Sequence, residues 1–134
     1  MAGEMAGNST KKKISALVVD DDRLVRRIHG MLLTRFGMET NAVENGKEAV
    51  DLFASGKCYD LVFMDMEMPI MDGLKATQAL REMGVSSTIV GVTSRTQEGE
   101  TQAFMEAGLD ACWEKPLTRD GIISLLDQVA KKLL

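Results

Sequence analysis

Ala16-Leu17-Val18-Val19 runs straight into Asp20-Asp21-Asp22. A short, unbroken apolar run that stops on charged residues fits a strand buried in a parallel sheet. Three further runs end the same way. Leu61-Val62-Phe63-Met64 meets Asp65, Ile89-Val90-Gly91-Val92 meets Thr93-Ser94, and Ala111-Cys112-Trp113 meets Glu114-Lys115-Pro116. If the four are parallel, their carboxyl ends lie along one sheet edge, where open α/β sheets hold their ligands. Three acids, a hydroxyl and a lysine would then share one pocket. That set suits a divalent cation and a phosphoryl group.

The segments between these runs have helical periodicity. Strands are expected over residues 14–19, 39–43, 60–65, 88–93 and 111–114. Helices are expected over 23–36, 47–55 and 73–83, within 97–107, and over 119–132. In the first helix Leu24, Ile28, Leu32 and Phe36 share one face at i+4 spacing, and Gly37 ends it. Ala49, Val50 and Phe53 should turn inward from the second helix and Phe104 from the fourth. Ile122, Ile123, Leu126, Val129 and Leu133 should do so from the fifth. Regular β–α alternation implies a parallel sheet with helices on both faces. Residues 1–12, small and polar and then basic, are expected to be a flexible tail. One domain over 13–134 follows, with no output domain after it.

Composition narrows the function classes. The formal charge of −4 and a pI near 5.0 argue against a nucleic-acid footprint. No stretch approaches a membrane span, and the N-terminus lacks an apolar signal core. Cys58 and Cys112 form no CxxC motif and are expected as free thiols in a reducing compartment. The cytoplasm is the expected location, with the nucleus also open.

Taken singly, each candidate residue has a plainer explanation. Asp20, Asp21 and Asp22 could be a solvated loop, Asp65 a strand-end cap, Thr93 a strand residue and Lys115 a surface lysine. Together they are much rarer. Crowded acids are costly unless a cation compensates them, and oxygen-only donors suit Mg²⁺, or Mn²⁺. Asp22 is assigned to the start of the first helix, where an acid suits the helix dipole. His29, beside Arg26 and Arg27 on that helix, is expected to be exposed. Leu24 is placed in the core.

The chain resembles the receiver domains of two-component response regulators. The resemblance rests on Leu17-Val18-Val19-Asp20-Asp21, on Met64-Asp65-Met66-Glu67-Met68-Pro69-Ile70-Met71-Asp72-Gly73, on Val92-Thr93-Ser94 and on Lys115-Pro116-Leu117-Thr118. It implies the flavodoxin-like fold, with strand order 2-1-3-4-5 and five helices. It implies Asp65 as phospho-acceptor, and Asp21, Asp65 and the backbone carbonyl of Glu67 as direct Mg²⁺ ligands, with Asp20 acting through water. Thr93 and Lys115 would bind the phosphoryl oxygens. The Lys115–Pro116 bond would be cis.

Three positions set this chain apart. Most receivers carry Tyr or Phe three residues before the lysine, where this chain has Cys112, a small residue that puts the usual aromatic switch in doubt. Trp113 should point to the other face of the sheet. Glu67, two residues after the acceptor, is expected to tune the phosphate lifetime. Ser94 is small and leaves access for a bulky donor. The methionines around the acceptor are expected to fill core and loop.

The runs around Thr93, Phe104 and Lys115 are most similar to stand-alone plant type-C response regulators. That resemblance implies a monomer that drains a histidine phosphotransfer protein, or accepts from a histidine kinase, in a cytokinin-type relay. Such a receiver catalyses its own phosphorylation and dephosphorylation, and the chain could act as a phosphohistidine phosphatase on its partner. Two other functions compete with it. One is a phosphatase that forms an aspartyl phosphate on small substrates, although Pro69 stands where that class needs threonine. The other is a non-catalytic docking module.

Overall fold

A computed structural model describes residues 13–94 and 98–133. The expected flexible tail lies outside the described residues. Five strands alternate with five helices: β1 (Ser15–Val19), α1 (Arg23–Arg35), β2 (Glu39–Val43), α2 (Gly46–Ala54), β3 (Leu61–Asp65), α3 (Gly73–Glu82), β4 (Thr88–Thr93), α4 (Glu98–Glu106), β5 (Ala111–Glu114) and α5 (Arg119–Leu133). The sheet is parallel throughout, in the order β2-β1-β3-β4-β5. This is the α/β, flavodoxin-like order.

The central strands are apolar on both faces because both faces are covered. Ala16, Val18, Leu61, Phe63, Val90 and Val92 pack on one side against Leu33 of α1 and Ile122, Leu125 and Val129 of α5. Leu17, Val19, Val62, Met64 and Ile89 pack on the other against Ala49 of α2, Ala76 and Leu80 of α3 and Phe104 of α4. Each large apolar side chain buried in this way contributes about 1.5–3 kcal/mol. Trp113 joins the first layer, its ring centroid 6.4 Å from that of Phe63, while Cys112 joins the second. Adjacent residues of β5 thus face opposite sides, as alternation requires. Met64 and Met68 are buried among apolar neighbours, as expected of gap-filling methionines.

Two helix faces differ from the sequence expectation. On α1 the buried residues are His29 and Leu33, with Leu32 and Phe36 partly buried beside them. Leu24 is 63% exposed and Ile28 49%. The helix is turned by about one residue, or 100°, from the i+4 stripe of Leu24 and Ile28. His29 lies on the inward stripe but counts as polar in a hydrophobic pattern. On α5 Leu125 is buried, Ile123 is exposed, Leu126 is partly buried, and the side chain of Leu133 lies outside the described residues. The inward stripe there runs Ile122–Leu125–Val129, at i+3 and i+7.

Helix ends follow local chemistry. The side chain of Asp22 caps α1 by accepting from Leu24 N at 2.8 Å and Val25 N at 3.3 Å. An acid there also suits the positive end of the helix dipole. Gly37, at φ +84°, turns the chain into β2 in the left-handed region that glycine adopts freely. No helix among the described residues is long and apolar enough to cross a membrane.

Candidate phosphoryl and cation site

The strand order reverses between β1 and β3, the point at which open α/β sheets hold ligands. Val19 pairs with Met64, so Asp20 and Asp65 leave the sheet side by side. Thr93 closes β4 opposite Glu114 of β5, and Lys115 follows directly, its N–H donating to Thr93 O at 2.8 Å. The C-terminal ends of four strands therefore deliver the site.

Carboxylate oxygens of Asp20, Asp21 and Asp65 lie within 4.8 Å of one another. Asp20 and Asp65 are buried, and Asp21 opens to solvent. Lys115 Nζ bridges the two buried acids, at 2.7 Å from Asp20 Oδ2 and 3.1 Å from Asp65 Oδ1. The backbone holds Asp20 as well. Its Oδ1 accepts from Asp22 N at 2.9 Å, and its carbonyl accepts from Arg26 Nη1 at 2.8 Å. Arg26 also reaches Glu44 at 3.5 Å.

The charge is not balanced. Burial, then the charge of Asp20, raises the Asp65 pKa to about 6, although Lys115 opposes the shift. Burial pulls Lys115 downward, but its hydrogen bond to Asp20 and the charge of Asp65 more than offset this and leave it above its usual value. One ammonium thus faces three carboxylates. Hard oxygen donors, close spacing and uncompensated negative charge together fit a divalent cation such as Mg²⁺.

The other candidates border this centre. Thr93 is buried, and its hydroxyl donates weakly to Met66 Sδ at 3.8 Å. Glu67 is exposed in the loop after β3, and Ser94 is exposed just past β4. Cys112 is half-buried, and burial pushes its thiol pKa up, which disfavours the reactive thiolate. The Lys115–Pro116 bond is cis.

Three contributors were not assigned to the site from the sequence. Gly73 sits so close to β3 that a Cβ there would lie 2.1 Å from the carbonyl oxygen of Asp65, so only glycine allows α3 to start beneath the site. In the sequence it closed the stretch over residues 64–73 and was read only as the start of a helix. Arg26 was read only as a neighbour of His29. His29, expected to be exposed, is 3% exposed, and its Nε2 accepts from Leu117 N at 3.2 Å.

This geometry agrees with the comparisons. Residues 16–127 match the model of the response regulator receiver domain. The chain is 52% identical over 122 residues to Two-component response regulator 24 of Arabidopsis thaliana, covering 91% of this chain and 88% of that one. It is 50% identical over 121 residues to Two-component response regulator ARR22 of the same plant, covering 89% and 85%. Among solved structures, the receiver domain of the Francisella response regulator 1452 superposes with a TM-score of 0.81 at 23% identity, covering 91% of this chain and 100% of that one. Vibrio cholerae chemotaxis protein CheY4 gives 0.78 at 24%, covering 88% and 99%. The fold, the edge that carries the acids and the sequence kinship converge: the chain belongs to the response regulator receiver domain family.

Proposed function

We propose that this receiver takes a phosphoryl group from a phosphohistidine donor onto Asp65. The observation that carries the proposal is Lys115 clamped between two buried acids, Asp20 and Asp65, at the switch point of the sheet. An Oδ of Asp65 attacks phosphorus, the N–P bond of the donor breaks, and its electron pair returns to the imidazole, which takes up a proton. The product is an acyl phosphate. The nucleophile must be ionised, and a pKa of about 6 leaves Asp65 mostly ionised at neutral pH. The Lys115 ammonium turns from the carboxylates to a phosphoryl oxygen and stabilises the charge that spreads over those oxygens in transfer. The Thr93 hydroxyl exchanges its weak contact with the Met66 sulfur for a second oxygen.

Asp21, Asp65 and the backbone carbonyl of Glu67 would hold the cation directly, with Asp20 acting through water. When bound, Mg²⁺ would supply the positive charge that lets a phosphoryl group approach three acids. Glu67, exposed beside the acceptor, tunes the lifetime of the acyl phosphate. Glu67→Asn should change the dephosphorylation rate, and an unchanged rate removes that role.

Kinship with two Arabidopsis response regulators at 50–52% identity supports a stand-alone plant type-C role. In this role the protein drains a histidine phosphotransfer protein in a cytokinin-type relay, in the cytoplasm or nucleus. The docking surface is the outer face of α1, where Leu24, Ile28 and Met31 are exposed, together with Ile123 of α5. Cys112 in place of an aromatic ring favours moving phosphate over throwing a switch. The test is incubation of a phosphorylated phosphotransfer protein with the receiver and Mg²⁺. Label should leave the partner's histidine. Retention of the label there defeats the proposal.

A further inference from the structure

His29 is the chain's only histidine, and it faces inward from α1 rather than outward to solvent. Its Nε2 accepts from the N–H of Leu117, two residues past Lys115, across 88 residues of sequence. A ring nitrogen that accepts carries no proton, so the neutral ring holds its proton on Nδ1. Burial lowers the His29 pKa, the charge of Asp20 opposes this and that of Lys115 adds to it, and the net shift keeps the acceptor lone pair in place at neutral pH.

The segment that carries Lys115 is fixed at two points. Before the turn, Lys115 N donates to Thr93 O at 2.8 Å. After it, the side chain of His29 receives Leu117 N, and Leu117 itself is buried in the layer that α1 and α5 cover. Between the two anchors, Nζ must stay within ion-pair reach of both Asp20 and Asp65. A site of this kind depends on support that locks its side chains, and a loosened support is felt as lost rate.

We propose that His29 is a positioning residue for phosphoryl transfer: by accepting from Leu117 N–H it ties the Lys115 turn to α1 and holds the ammonium where the transferring group arrives. The inference rests on Asp65 being the acceptor. Its effect passes through Lys115, since its hydrogen bond is to Leu117 N and not to Asp65.

The test uses the full chain with phosphoramidate as donor and saturating Mg²⁺. His29→Leu fills similar space but offers no acceptor, whereas His29→Gln retains an acceptor oxygen at comparable reach. Loss of one net hydrogen bond's worth of positioning should slow phosphorylation at saturating donor about three- to tenfold in His29→Leu, with half-saturation unchanged. His29→Gln should stay within about twofold of wild type. In a Lys115→Ala background His29→Leu should cost nothing more, because coupled residues are not additive. Equal losses in the Leu and Gln variants, or a full His29→Leu loss without Lys115, would overturn the assignment.

A second measurement needs neither a variant nor the reaction. In wild type at pH 7 the ¹⁵N shifts of the ring should show Nε2 unprotonated and Nδ1 protonated. A protonated Nε2 overturns the proposal whatever the kinetics. No phosphorylation of wild type at all would instead overturn the acceptor assignment, and with it this inference.

Discussion

The two edges of the sheet treat their acids in opposite ways. At the edge where strands begin, Asp60 and Asp110 are satisfied. Asp60 Oδ2 accepts from Ser15 N at 2.9 Å and Ser15 Oγ at 3.2 Å. Asp110 Oδ2 accepts from Ile89 N at 2.8 Å and pairs with Arg81 at 3.0 Å. Arg81 in turn donates to the carbonyls of Val85, Ser87 and Gly108. These bonds stitch loop to strand across the sheet. At the edge where strands end, three acids crowd one lysine, and Asp65 is pushed up to about 6. One edge uses carboxylates to hold the fold. The other keeps them partly uncompensated, the arrangement we propose for binding a cation and a phosphoryl group.

Substitutions that exchange these roles should break the comparison. The largest effect is expected from Asp65→Asn, which removes the proposed nucleophile. Phosphorylation should fall by at least about a thousandfold, the scale of losing a reacting group. The same variant should be no less stable than wild type, because a buried like charge is gone. A loss of both activity and stability would make Asp65 a structural acid like Asp60.

Next comes pH, in the protein without divalent cation. The folded pKa of Asp65 lies above the usual 3.8, so between about pH 4 and pH 6 the folded state binds the extra proton. Stability therefore falls as pH rises through that window and levels off above it, and the Asp65 share is on the order of 3 kcal/mol. Urea unfolding of wild type and Asp65→Asn across this range checks it. The two should diverge as pH rises, and added Mg²⁺ should close the gap.

At the opposite edge Asp110→Ala leaves Ile89 N without its partner. A cost of about 1–3 kcal/mol in stability is expected, with phosphorylation at a temperature well below melting unchanged. The smallest effect concerns strain. Ile70, in the loop after the acceptor, has φ 72° and is 77% exposed. Ile70→Asn, which tolerates the left-handed region better, should stabilise the fold by about 0.5–1 kcal/mol, read as a rise in Tm.

Much of this was legible in the sequence where signals are local. A strand buried on both faces has little freedom in its pattern, so the ends at Asp20, Asp65, Thr93 and Lys115 could be placed to the residue. Asp22 was legible at the start of α1 because an acid there suits the helix dipole; that its side chain caps Leu24 N and Val25 N came from the structure. The orientation of α1 was not, because two adjacent stripes were both apolar enough. The His29–Leu33 stripe faces the sheet and α5, where His29 accepts from Leu117 N, 88 residues away. The same holds for Ile123 and Leu125 on α5, where the sheet decides which stripe is covered. Lys115 was read from the sequence as a phosphate ligand, but its grip on both Asp20 and Asp65 is a tertiary fact.

The central claim is that the crowded edge exists to load Asp65. The most direct measurement is to mix a ³²P-phosphohistidine donor with the protein and Mg²⁺, reduce with borohydride, and locate the modified residue by mass spectrometry. Reduction converts an aspartyl phosphate to homoserine. Homoserine at position 65 and nowhere else is the expected result. An unmodified Asp65, with label retained on the donor or found on another residue, would contradict it.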